Sequence, residues 1–139
     1  MGNVSFEQRG TGTFSIKMQH HASTGDLLVS KGILSIDADA SWRCGTNVFV
    51  SGTGTFQMKA SGQLNKKIAV VHVDDDGVIN LPDGVYQVVR GLRVDGKPVP
   101  AGVYGGADAP AAADKRYAAH FSGAGMLRVA FAGFTMAIR

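Results

Sequence analysis

Three things are scarce in this chain of 139 residues: cysteine, glutamate and long apolar runs. Cys44 is the single cysteine, which excludes an intrachain disulfide and a thiolate metal cluster. Glu7 is the single glutamate among 11 acidic residues, so any paired-carboxylate chemistry would have to be built largely from aspartates. No apolar stretch approaches the roughly 18 residues of a spanning helix, and no membrane span is expected. The first residues, Met1 to Glu7, carry neither the basic nor the apolar region of an export signal. Proline is limited to 4 residues, and 18% charged against 45% hydrophobic residues argues against disorder. The net charge of +3 is spread along the chain, with Lys66-Lys67 and Lys115-Arg116 as the basic doublets. That distribution gives no electrostatic footprint for nucleic acid, which is not expected as a partner.

Glycine, at 19 residues, is plentiful, and its placement is periodic. Gly10-Thr11-Gly12-Thr13-Phe14 returns as Gly52-Thr53-Gly54-Thr55-Phe56 and, degenerately, as Gly123-Ala124-Gly125-Met126-Leu127. A glycine followed by alternating apolar residues recurs at Gly12, Gly32, Gly54 and Gly77, with spacings of 20, 22 and 23, and again at Gly125. Before the second, third and fourth of these stands another alternation: Leu27-Leu28-Val29, Val48-Phe49-Val50 and Val70-Val71-His72-Val73. One unit therefore reads strand, glycine corner, strand, polar return.

A period of 20 to 25 residues is the mark of stacked supersecondary units, and strict alternation is that of a strand with one buried face. The expected fold is all-β: a short right-handed parallel β-helix, or β-solenoid, with a C-terminal hairpin and loop cap. Short strands with glycine turns also suit an antiparallel β-sandwich of the jelly-roll kind, which is the alternative. Residues 1–139 read as one domain, with repeat coils over 10–81 and a capping region over 82–139. Within the cap, Asp95-Gly96 is a hairpin signal. The alanine-rich stretch 108–120 predicts a loop or short helix, with Asp108 as N-cap and Pro110 in the first turn. The tail from Ala130 to Arg139 alternates enough for one more strand.

The run from Gly77 to Val129 resembles the C-terminal portion of autotransporter-associated β-strand repeat proteins. The likeness is carried by Gly77, Ile79, Leu81, Gly84, Val85, Leu92, Val94, Asp95, Gly96, Pro100, Ala101, Gly102, Tyr104 and Gly105, then by His120, Phe121, Ser122, Gly123, Gly125, Leu127 and Val129. The earlier coils, Gly10 to Met58, are similar to the repeats that precede that portion. The resemblance implies a non-catalytic structural or surface-display module of a larger secreted bacterial protein, secreted or at the cell surface. Its partners would be a parent chain or further copies of itself. In the family, Tyr104 stands in a Gly-Val-Tyr-Gly turn, which its hydroxyl is expected to anchor on backbone.

Two other functional classes rest on individual side chains. Trp42, Tyr86 and Tyr117 offer flat aromatic faces near loops, so a carbohydrate-binding accessory domain for polysaccharide is the first alternative. His20, His72 and His120, with Asp74 and Asp76 at a corner, are the candidate metal ligands for a small metal-dependent polysaccharide-active enzyme. No cofactor is required by the sequence; Ca²⁺ at the Asp74-Asp75-Asp76 corner, or a transition metal on the histidines, belongs to that second alternative. Neither the EF-hand spacing nor a His-x-His metal signature is present. Asp37 and Asp39 share one face of an extended segment, but a convex rod gives such a pair no cleft, so catalysis is the less favoured reading.

Overall fold

The computed structural model describes residues 6–17, 19–20, 26–42 and 47–130. Where apolar residues alternate, the chain runs extended and turns every second side chain inward. Val48 and Val50, Phe56 and Met58, and Val71 and Val73 are at most 2% exposed, while the residues between them are half-buried. The strands come in groups that repeat. β1 (Phe6–Gln8), β2 (Thr13–Ile16) and β3 (Gln19–His20) make the first coil, and β4 (Leu27–Val29), β5 (Ile33–Ile36) and β6 (Ser41–Trp42) the second. The third coil holds β7 (Asn47–Val50) and β8 (Thr55–Met58), and the fourth β9 (Val70–Val73), β10 (Val78–Asn80) and β11 (Tyr86–Val89). The fifth begins with β12 (Gly91–Val94), is interrupted by β13 (Lys97–Pro98) and β14 (Gly102–Tyr104), and resumes with β15 (Phe121–Ser122) and β16 (Met126–Val129).

Equivalent strands stack in register. The first face has the order β1-β4-β7-β9-β12-β13 and the second β15-β10-β8-β5-β2. Leu27 pairs with Val48, Val48 with Val71, and Val71 lies beside Leu92, so each inward row is a column of like side chains. On the second face the inward column is Phe14, Leu34, Phe56, Ile79 and Phe121. Its three middle members are fully buried, and each buried side chain of this size contributes about 1.5–3 kcal/mol. The fold is a parallel β-helix, and the jelly-roll alternative does not hold. Among the described residues the antiparallel pairings are β12–β13 and β14–β16, both in the cap.

The polar return of the sequence reading is a third face. It carries β3 paired with β6, then β11, β16 and β14 in one sheet. Its interior is held by amides: Gln63 and Gln87 are at most 2% exposed. Gln63 Nε2 donates to the carbonyls of Asp37 and Ala40, and Gln87 Oε1 accepts from the Gln63 backbone N–H at 3.0 Å. Most buried polar groups are partnered in this way; the Ser41 hydroxyl, buried in β6, is an exception among the described residues.

The first four glycine positions and the fifth do not share a corner. Gly12, Gly32, Gly54 and Gly77 precede β2, β5, β8 and β10, where the first face turns into the second. Gly123 and Gly125 instead lie between β15 and β16, at the corner from the second face to the third, with Gly125 N–H donating to the Leu81 carbonyl at 2.8 Å. The cause is the insertion in coil five, which delivers the chain to β15 through His120 rather than through a glycine.

The insertion folds as the hairpin signal requires, and of the loop or short helix expected over 108–120 it is chiefly the loop. Asp95 and Gly96 both have positive φ, 52° and 80°, the pair of conformations a two-residue hairpin needs. Residues 108–120 form successive turns, and only Ala118–His120 winds into a 3₁₀ helix. The α-helix is lost because Asp114 is drawn into a bridge beside Tyr104, its N–H donating to the Val103 carbonyl at 2.7 Å. Ala109 and Ala113 bury their methyl groups over Gly105 instead of propagating a helix. Tyr104, 1% exposed, donates its hydroxyl to the Pro100 carbonyl at 2.6 Å, as expected. The C-terminal tail, 131–139, lies outside the described residues.

The corner glycines of coils two to four are forced by the preceding coil's backbone. Gly52 has a φ of 55°, and a Cβ there would run into the Ser30 carbonyl oxygen. Gly54 has no unusual φ, yet a Cβ on it would lie 2.8 Å from the Val29 carbonyl oxygen. Gly52→Ala is expected to lower the unfolding free energy by about 1–3 kcal/mol. Gly10→Ala, at a site with open space around it, should stay within about 0.5 kcal/mol of the parent. Urea titration of the two variants followed by circular dichroism checks both.

Candidate functional site

The polar side chains of the outer faces are arranged as columns along the rod, because each coil repeats the last in register. On the second face, Ser35 Oγ donates to Gln57 Oε1 at 3.0 Å, Gln57 Nε2 to Asn80 Oδ1 at 2.9 Å, and Asn80 Nδ2 to Ser122 Oγ at 2.8 Å. Four coils are thus clipped by one hydrogen-bonded chain. Nothing in the apolar alternation announced it, since its members are simply the outward residues between buried ones.

The candidate metal ligands are separated by the same geometry. His72 stands on the outer side of the first face, stacked on Phe49 with ring centroids 4.5 Å apart, and its Nε2–H donates to Asn47 Oδ1 at 3.0 Å. His120 belongs to the insertion and docks on the second face, its Nδ1–H donating to the Gly77 carbonyl at 3.0 Å. His20 occupies β3 on the third face, and its side chain lies outside the described residues. Among the described residues no three His, Cys, Asp or Glu side chains converge on one point. Asp74 and Asp76 flank Asp75 at the corner between β9 and β10. Asp75, at a φ of 57°, accepts the Gly52 N–H on its carboxylate at 3.2 Å, and its own N–H donates to the Asp95 carboxylate at 3.3 Å. In coils four and five the corner glycines Gly77 and Gly96 are joined by aspartates, Asp75 and Asp95, whose carboxylates reach back to the preceding corner.

The candidate aromatics are likewise dispersed. Tyr117 is half-buried in the cap, packed against Tyr104 with centroids 5.7 Å apart and with the Arg116 guanidinium 5.9 Å from its ring centre. Arg116 also binds Asp114 at 2.8 Å, which holds that carboxyl below the usual carboxylate range. Trp42 stands in β6, the third strand of its coil as β11 is of the fourth, and its side chain lies outside the described residues. Tyr86 is 38% exposed at the start of β11.

Beside Tyr86 is a groove of about 470 Å³ lined by Gly62, Leu64, Asn65, Lys66, Tyr86, Gln87 and Val88. Its wall is a turn that replaces a regular third strand in coil three. Asn65 shapes that turn, accepting the Lys67 N–H on its side chain at 2.9 Å and the Ala69 N–H on its carbonyl at 2.9 Å. The Tyr86 N–H donates to Ser61 Oγ at 2.8 Å, which fixes the opposite side. Of the lining residues, sequence reasoning had reached Tyr86 and had noted Lys66 only as half of a basic doublet.

No family model, curated protein or solved structure matches this chain. Among the described residues no helix is long and apolar enough to cross a membrane.

Burial, and then the nearby Arg93 charge, lowers the pKa of His72 from its ordinary 6.5. The neutral ring is the form the fold holds, so the stabilisation is present above the unfolded value and is lost as pH falls through the folded one. A two-dimensional NMR titration should place the His72 midpoint below 6.5. Between pH 7.5 and 5 the parent should lose more of its urea resistance than His72→Gln, which removes the titrating group.

Proposed function

We propose that the chain is a non-catalytic structural β-helix module of a larger secreted bacterial protein, acting at or beyond the cell surface, as its likeness to autotransporter-associated β-strand repeats implies. One observation carries this reading. A run of polar side chains holds coil to coil: Ser35, Gln57, Asn80 and Ser122 along the second face, Asp75 and Asp95 along a corner, and His120 on Gly77. Groups fixed in this way stiffen a rod and leave no converged set of nucleophile, base and acid.

A rod of this construction extends by adding coils, each pairing its strands with the last at about 4.8 Å. The sheet order sets β1 and β2 at one rim, and a preceding coil of a parent chain or a second copy would continue the same ladders there. In this role the module contributes length and stiffness, and the corners are where variable segments can be added without disturbing the core.

The reading is tested by fractionating cells that carry the native gene and probing with an antibody raised against this chain. The antigen is expected in the medium or surface fraction, at a mass well above the 14.5 kDa of these residues alone. A 14.5 kDa cytoplasmic product would sink it.

A further inference from the structure

The groove beside Tyr86 differs from the rest of the surface in ways that point to a ligand. Along the second face the outward side chains Ser35, Gln57, Asn80 and Ser122 pair with their neighbours above and below, and on the first face Phe49 stacks on His72. At β11 the column is broken, because coil three places the turn around Asn65 where a third strand would otherwise run. The result is a recess with an exposed phenol ring at one side, an apolar floor element in Val88, and a cation, Lys66, at the rim. Lys66 is the one charged residue in the lining. On the other side of β11, Val88 is in register with Arg128 of β16, an exposed cation on the same outward row. Val88 therefore lies between two positive side chains, and no acid lines the recess.

A half-exposed aromatic face beside hydrogen-bonding groups suits the axial C–H surface of a sugar ring, which is apolar over its face and polar around its edge. The two cations select for negative charge. Tyr86, Val88 and Arg128 spread the contacts over two neighbouring strands, β11 and β16, which suits a linear polymer rather than a compact small molecule.

We propose that this groove binds a linear polysaccharide bearing carboxylates, a polyuronate, with one ring stacked on Tyr86 and its carboxylate facing Lys66 and Arg128. The site stands apart from the scaffold role: a module that serves only as a spacer would lack it, and its failure leaves the scaffold reading untouched. It also separates Tyr86 from Tyr117, whose ring is packed in the cap.

The test titrates the full chain with a galacturonic acid tetramer and, separately, with neutral cellotetraose, following backbone amides by NMR. The acid tetramer is expected to shift Leu64, Asn65, Tyr86 and Val88 at millimolar concentration or below and to bind more tightly than cellotetraose. Tyr86→Ala should weaken binding about tenfold, a change of roughly 1.4 kcal/mol. Lys66→Gln and Arg128→Gln should each weaken it several-fold and flatten its salt dependence. Thermal melts report whether each variant folds; Lys66 and Arg128 are exposed, so those two variants carry the test if Tyr86→Ala does not fold. Absence of shifts with the acid tetramer, equal affinity for the neutral one, or affinity unchanged in the Lys66 and Arg128 variants would each overturn the proposal.

Discussion

The stacked strands of this protein satisfy their backbone in the coil above and the coil below, and the bonds made within a coil lie in its turns and in the cap. The N–H and C=O groups of a strand are obligatory hydrogen-bonding groups, and here they are met by a strand one circuit away. The same pattern runs round the corners. Thr53 N–H donates to the Ser30 carbonyl, Thr55 N–H to that of Gly32, and Val78 N–H to that of Gly54. Because the circuits cannot separate without orphaning these groups, everything else follows from keeping them in register: the columns of like apolar residues, the amide chain on the second face, and the lack of bulk at the first three turns.

Close stacking at the corners explains why two different chemistries occupy equivalent places. A carbonyl of one circuit passes so near the next that a side chain on Gly52 has no room. One circuit later Asp75 takes the left-handed conformation instead and turns its carboxylate back on the Gly52 N–H. Aspartate tolerates that conformation better than most residues because its short side chain can bond locally. The middle carboxylate of the corner that invited a calcium reading thus serves as acceptor for a backbone donor.

How much of this was legible in the sequence depended on whether one residue type had one physical cause. The strands around Val48, Phe56 and Val71 were legible, since alternation has no other common source than a half-buried extended chain. The Asp95-Gly96 hairpin was legible for the same reason. Residues 108–120 were legible only as a loop or a short helix: alanine favours a helix by propensity, but Ala109 and Ala113 pack their methyl groups over Gly105. The third glycine phrase was misassigned because a glycine marks a corner without saying which corner. Gln63 and Gln87 were invisible for a deeper reason, as a buried amide looks in sequence like any surface residue. The groove was half visible, through Tyr86, because its other wall depends on a turn that only the departure from periodicity creates.

The insertion in coil five shows how such a chain can acquire new parts. Partners on the second face lie 20 to 23 residues apart until the last step, where Asn80 meets Ser122 at a separation of 42. Doubling a loop raises its closure cost by only about 0.6 kcal/mol. Against that, the inserted segment returns the packing of Tyr104, Ala109 and Ala113. A solenoid corner is therefore a thermodynamically cheap point of entry for foreign sequence, and circuits can diverge in content one at a time while the thread of the screw is preserved.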